Sequence, residues 1–265
     1  MSLIDFKGKN IIVTGAASGI GRCTAELLTR LGASITALDR NDPENSEWRF
    51  HRIDMSNPID IDRVVAQIKL GKIDGLCNIA GLPGTADDLL VHQVNYLGLR
   101  HLTMSLLPRL AKGSAIVNLA SMAGFLWRER SELLWELANI NDWAQAETWI
   151  KDHPVMFDQA YRKSKEAVIV WMLANATKWN SERGVRMNCV SPAPVMTPIF
   201  DDFKQSLGQA NVQDIIDRTG RPALPDDIAP VIAFLLSDAS RWVVGVDLPT
   251  EGGLTASRFV SSMTS

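Results

Sequence analysis

The sequence predicts a doubly wound α/β fold, a parallel sheet of about seven strands with helices on both faces. Three observations lead there. Short apolar or β-branched runs alternate with helical patterns along the whole chain, the order that right-handed crossovers turn into a parallel sheet covered on both sides. A glycine-rich loop, Gly15-Ala16-Ala17-Ser18-Gly19-Ile20-Gly21, separates the first strand from the first helix. The polar residues that could carry chemistry fall at strand ends, where this topology opens its crevice.

The elements follow in order. Residues 9–14 are a β-branched run and read as a buried strand. After the glycine loop, a helical run over 22–31 stops at Gly32-Ala33. Residues 34–38 form a second strand ending at Asp39, and 49–53 a third ending at Asp54. Asn57-Pro58 starts a helix that runs to about 70 and stops at Gly71. The fourth strand, 73–78, leads to Ala80-Gly81, and a long helical pattern over about 87–110 carries Asn95. The fifth strand, 114–120, ends at Ser121. An irregular segment, 122–158, precedes a helix over 159–180. A sixth strand at 185–190 runs into Ser191-Pro192-Ala193-Pro194. A polar helical stretch at about 198–219, a helix at 225–237 and a short strand at 246–248 complete the order, and Glu251-Gly252-Gly253 closes it.

The chain of 265 residues suffices for one large domain, 1–265, and no linker, repeat or low-complexity run divides it. A net charge of −3 gives no footprint for nucleic acid or an anionic membrane surface. Cys23, Cys77 and Cys189 are far apart and read as reduced core residues of a cytoplasmic protein. The four histidines are scattered, so no metal site is expected, and His153 before Pro154 reads as a turn residue. The first nine residues are polar, unlike a signal peptide, and no apolar run is long enough to span a membrane.

Chemistry is expected at Tyr161 and Lys165. They lie four residues apart on a helix, hence on one face. A cation beside a phenol lowers its pKa. Bringing a phenol from about 10 to about 7 takes roughly 4 kcal/mol, more than one ammonium supplies, so a cofactor cation would have to help. The plain alternative is a surface Tyr and Lys at a helix start. The glycine loop favours a dinucleotide: glycines let backbone approach a pyrophosphate, and the helix start offers N–H groups to it. Asp39 follows Gly21 by 18 residues (39 − 21) and ends the second strand. A carboxylate there accepts bonds from ribose hydroxyls and repels a 2′-phosphate, so NAD is expected over NADP. Arg40 beside it could pair with that phosphate but reads as a solvated side chain.

These motifs together identify the chain as resembling the short-chain dehydrogenases/reductases, members of the Rossmann class. The resemblance rests on Thr14 to Gly21, Asn78-Ile79-Ala80-Gly81, Asn95, Ser121, Tyr161-x-x-x-Lys165 and Pro192-Ala193-x-x-x-Thr197, in the family's order and over essentially the whole chain. Within the family, residues 72–87, 94–99 and 185–190 resemble the bacterial coniferyl-alcohol dehydrogenases. The 3α-hydroxysteroid dehydrogenase/carbonyl reductases, with a similar long segment before the Tyr, come next. The resemblance implies that Tyr161 is the general acid/base, that Lys165 lowers its pKa and holds the ribose, and that Ser121 orients the reacting oxygen. Asn95 would hold a water leading from Lys165 to solvent. Cofactor contacts are implied at Gly15, Ser18, Gly19, Ile20, Gly21, Asp39, Asp54, Met55, Asn78, Ala80, Gly81 and Pro192, with Val195 and Thr197 on the nicotinamide carboxamide. Three positions depart from the family's pattern: Ala193 replaces a usual Gly, Ile79 a usual Asn, and Glu251 a usual Asp. None removes a catalytic group.

Ser121 and Tyr161 are 40 residues apart (161 − 121), much farther than is usual in the family. The excess, about 125–157, contains Trp127, Trp135, Trp143 and Trp149 and reads as two amphipathic helices broken near 139–142. The tryptophans could dock these helices, wall an aromatic substrate, or form a subunit interface. Residues 198–221, with Phe200, Phe203 and Leu207, are expected to form a substrate lid. The resemblance implies an NAD-dependent alcohol dehydrogenase/carbonyl reductase, acting on a coniferyl-like aromatic alcohol first and on hydroxysteroids next, and assembled as a homodimer or homotetramer. A non-catalytic dinucleotide-binding sensor or scaffold is the rival from another class.

Overall fold

A computed structural model describes residues 4–264; the outermost residues, where the polar N-terminal stretch begins, lie outside the described residues. Seven parallel strands form one sheet in the order β3-β2-β1-β4-β5-β6-β7. They are β1 (Asn10–Thr14), β2 (Ser34–Asp39), β3 (Arg49–Arg52), β4 (Ile73–Asn78), β5 (Leu110–Leu119), β6 (Arg186–Pro192) and β7 (Asp247–Thr250). The order reverses between β1 and β4, and a crevice opens beyond their carboxyl ends. Thr14 pins that point: its hydroxyl accepts the N–H groups of Ile79 and Ala80 at 2.9 and 3.0 Å.

Two apolar cores lie on the two faces. One packs α1 (Gly19–Arg30) and α10 (Pro225–Leu236) on the sheet through Ala25, Leu28, Ile228 and Ile232. The other packs α2 (Pro58–Gln67), α4 (Leu99–Leu106) and α7 (Ala160–Arg183) through Ile61, Leu102, Val168 and Met172. The long helix expected over 87–110 is present in pieces: α3 (Asp88–His92), a π-helical turn (Gln93–Gly98), then α4. Gly98 is required there, since a Cβ on it would stand 2.0 Å from the Met55 carbonyl.

The long segment folds as a 3₁₀ stretch (Met122–Arg130), α5 (Ser131–Ala138) and α6 (Trp143–Asp152), with the break where the polar run Asn139 to Asp142 falls. Buried Arg100 of α4 donates to the carbonyls of Ile140, Asn141 and Asp142 and so ties the turn between α5 and α6 to α4. Arg130 grips Glu166 of α7 through bonds of 2.8 and 2.6 Å. His153 ends α6 and stacks on Trp149 with ring centroids 3.8 Å apart.

Some expectations need correction. The polar stretch at 198–219 is two helices, α8 (Phe200–Leu207) and α9 (Gln209–Thr219), broken at Gly208 with φ of 88°. A C-terminal helix, α11 (Leu254–Thr264), was not expected; one side carries exposed Phe259, Val260 and Met263, which blurs the amphipathic pattern. Cys77 and Cys189 are core residues, but Cys23 is half-buried, its thiol 3.3 Å from an Asp226 oxygen. Burial first, and then Asp226, push that thiol up to about 12.

Candidate active site

A cleft of about 690 Å³ opens at the carboxyl ends of the strands. Its floor at β1 is the glycine loop. Gly15 has φ of +70°, and a Cβ on it would meet the Ala80 backbone at 2.9 Å; one on Gly21 would lie 2.0 Å from the Gly15 carbonyl. The loop is therefore a cradle that only glycine permits. Helix α1 leaves it with no acidic residue in its first turn and no side-chain cap from Ser18. Its first N–H groups and positive dipole end remain available to an anion. These features fit the pyrophosphate of a dinucleotide.

Asp39, at the end of β2, accepts from Ala17 N at 3.0 Å and Asn41 N at 2.9 Å, so it also braces the glycine loop. Arg40 is exposed beside it. Asp54 lines the same end and accepts from the Ser56 amide and hydroxyl at 2.9 and 2.7 Å, with Met55 alongside. Ser18, Gly19, Ile20, Ala80, Gly81, Pro192, Val195 and Thr197 all line the cleft. Thr197 lies over the loop, its methyl 3.2 Å from where a Gly19 Cβ would stand.

Asn78 and Asn95 are placed differently: neither lines the cleft. The Asn78 amide donates to Thr103 and Asn118 at 2.9 and 2.8 Å and so ties β4 to α4 and β5. Asn95, in the π-helical turn, accepts from Leu82 N at 2.7 Å and donates to Leu82 O at 3.0 Å and Ser164 at 3.2 Å. It meets Lys165 around Gly81, where a Cβ would stand 3.2 Å from the Asn95 oxygen and 3.6 Å from Lys165 Nζ.

The reacting end holds Tyr161, Lys165 and Ser121. Lys165 donates to Leu119 O at 2.7 Å, and its Nζ lies 5.8 Å from the centre of the Tyr161 ring. Burial lowers the ammonium to about 8. Burial also pushes the Tyr161 phenol up to about 12, opposed by a hydrogen bond with Ser121. In the protein alone burial thus sets the direction for this phenol, a correction to the lowering expected from the Tyr-Lys spacing. Ser121 also accepts from Ala123 N at 3.1 Å, which fixes the start of the 3₁₀ stretch.

Apolar residues complete the cleft, among them Leu82, Pro83, Phe125, Leu126, Phe203 and Leu207. Phe203 of α8 stands edge-on to Tyr161 with centroids 5.1 Å apart. None of the four tryptophans in the long segment lines the cleft. Trp127, Trp143 and Trp149 pack against the core, and Trp135 is half-exposed. Only the start of the segment, Phe125 and Leu126, forms wall. The Ala193 methyl packs with Ile215 of α9 and Leu254 of α11, which accounts for a side chain at that position. Glu251 accepts from Thr255 N at 2.9 Å and so anchors the start of α11. The sequence reading missed Arg162, Leu254 and Arg258 as cleft residues. The position of Arg162, next to Tyr161, was the available signal. Among the described residues no group of three His, Cys, Asp or Glu side chains could hold a metal, and no helix is long and apolar enough to cross a membrane.

Comparison with known proteins agrees with this geometry. A family model described as short chain dehydrogenase matches residues 9–131, and one described as Enoyl-(Acyl carrier protein) reductase matches 151–255. Most of α5 and α6 falls between the two. The chain is 44% identical to a coniferyl-alcohol dehydrogenase of Pseudomonas sp. (strain HR199 / DSM 7063), covering 96% of this chain and 99% of that one. It is 31% identical to a 3-alpha-hydroxysteroid dehydrogenase/carbonyl reductase of Comamonas testosteroni, covering 93% and 96%. Among solved structures, the 3-alpha-hydroxysteroid dehydrogenase from Pseudomonas sp. B-0831 complexed with NADH superposes with a TM-score of 0.80 at 31% identity, covering 94% and 97%. The chain belongs to the short-chain dehydrogenase/reductase family and is a dinucleotide-binding oxidoreductase of that type.

Proposed function

We propose that this protein is an NAD-dependent alcohol dehydrogenase that interconverts a primary allylic or benzylic alcohol of the coniferyl type and its aldehyde. One observation carries the reading: Tyr161 and Ser121 line the cleft together where the glycine cradle meets an apolar wall containing Phe125 and Phe203. Bound NAD supplies the hydride acceptor. Tyr161 takes the hydroxyl proton as the hydride leaves the carbinol carbon, and returns it in the reverse direction. Ser121 orients the reacting oxygen, and Lys165 holds the ribose and adds positive charge beside the phenol. Asn95, its side chain committed to Leu82, shapes the turn beside Lys165, where a water would lead protons out. Helices α8 and α9 act as a lid over the substrate. Homo-oligomeric assembly, which rests on the family resemblance, and a cytoplasmic location, which rests on the scattered cysteines, belong to the same reading.

The test is reduction of NAD by coniferyl alcohol, with a steroid and a simple cyclic alcohol as comparisons and NADP as the second cofactor. The expected result is turnover of coniferyl alcohol with NAD favoured. Asp39→Ser narrows that preference, since it removes the carboxylate that repels a 2′-phosphate, and it weakens NAD binding because Ala17 N loses its acceptor. A clear preference of the parent for NADP would overturn the cofactor assignment.

The pH dependence follows from the phenol. Oxidation consumes the ionised form of Tyr161 and reduction the protonated form. Since burial raises this phenol to about 12, its ionised fraction grows with pH and alcohol oxidation speeds up between about pH 7 and pH 9, whereas carbonyl reduction stays nearly constant because the phenol remains protonated. Initial rates in both directions at saturating cofactor check the sign; oxidation that slows across this range contradicts the role given to Tyr161.

A further inference from the structure

Arg162 follows Tyr161 on the first turn of α7, lines the cleft and is half-buried. Among the described residues its guanidinium has neither a hydrogen bond nor an ion pair. The acid one turn ahead on its helix, Glu166, is already held by Arg130 at 2.8 and 2.6 Å. Asp158, one turn back, is exposed on the far side of Gln159, whose φ of 57° breaks the helical path. Lys165 adds a second cation nearby. The acidic residues lining the cleft are Asp39 and Asp54, after β2 and β3. Those strands stand three and four places from β5, roughly 14 Å or more away. Arg258 of α11 also lines the cleft, and its carboxylate partner Asp214 stands at 3.8 Å while receiving Arg218 at 2.9 Å.

The substrate end of the cleft is therefore apolar and cationic with no acid of its own. A half-buried guanidinium without counter-charge is costly, and its planar fork fits carboxylate-type oxygens. We infer, resting on the alcohol-dehydrogenase reading above, that Arg162 is a specificity-determining residue that receives an anionic oxygen at the end of the substrate remote from the reacting carbon. That oxygen can belong to a carboxylate or to an ionised para-phenol. In the second case the residue also favours product, because oxidation to a conjugated aldehyde draws electron density from the para oxygen and makes the phenol more acidic.

The experiment uses the full chain with NAD and two pairs of alcohols: para-(hydroxymethyl)benzoate against its methyl ester, and para-hydroxycinnamyl against para-methoxycinnamyl alcohol. Rates are measured across pH, and binding of the acid and ester to the NAD complex is followed by calorimetric titration. A carboxylate source gives the acid an advantage over the ester of about tenfold or more in kcat/KM or Kd. A phenolate source gives the hydroxy compound an advantage that appears only as its phenol ionises. In either case Arg162→Gln removes the advantage and Arg162→Lys keeps part of it. Equal handling within both pairs, or an advantage that survives Arg162→Gln, overturns the inference. Turnover of neutral aryl alcohols without any preference for charge would do so while leaving the dehydrogenase reading intact. Charge-selective binding, lost in Arg162→Gln, with no alcohol turned over would support the inference and sink that reading instead.

Discussion

Tyr161→Phe lowers turnover by about 10²–10⁴-fold while the chain still binds its dinucleotide. The substitution removes one oxygen and little else. The ring of residue 161 packs edge-on against Phe203 and beside Val91 and Ala160, contacts that phenylalanine keeps. Ser121 keeps the bond it accepts from the Ala123 amide. The glycine cradle and Asp39 lie along β1 and β2, away from the change. Turnover and cofactor affinity should therefore separate. Single-turnover rates beside a fluorescence titration with NAD measure both, and a variant that turns over as the parent does would show that another group moves the proton.

Arg130→Ala destabilises the fold by about 3 kcal/mol, toward the lower end for breaking a buried ion pair because Arg130 is itself partly exposed. The Glu166 side chain is 1% exposed and is left with its charge and no partner. The same bonds hold the 3₁₀ stretch onto α7, next to the point where a Cβ on Gly124 would meet the Lys165 and Glu166 backbone at 3.1 and 3.2 Å. Losing the latch thus loosens Phe125 and Leu126, which wall the cleft just after it. Thermal melts should show a drop of about 10 °C. The double change Arg130→Met with Glu166→Leu removes both charges and should recover most of it. An Arg130→Ala protein as stable as the parent would mean that the pair contributes nothing net.

The sheet was legible because its strands carry apolar runs and its turns carry glycine or proline. β5 starts earlier than expected: Leu110 pairs with Ile73, but Lys112 and Gly113 interrupt the apolar run and hide that start. α11 was hidden for the opposite reason, since its exposed apolar side chains give no clean polar face. The glycine loop, Asp39, Tyr161 and Lys165 could be found from spacing and Ser121 from the family resemblance, and they converge on one cleft. Direction was harder to read than position. Asn78 stands in a motif at a strand end, yet its side chain points into the packing with Thr103. The four tryptophans cluster in sequence near the site, yet docking the segment uses Trp127, Trp143 and Trp149, and the wall is Phe125 and Leu126. The sign of the Tyr161 shift was out of reach as well, because it depends on how fully the fold buries both the phenol and Lys165.

The most direct test of the central claim follows absorbance of reduced nicotinamide when the purified protein meets NAD and coniferyl alcohol. Reduced cofactor and coniferaldehyde should appear in equal amounts, faster at alkaline pH and only marginally with Tyr161→Phe. Tight NAD binding without reduction by coniferyl alcohol or any other alcohol offered would contradict the account and favour a role in dinucleotide binding alone.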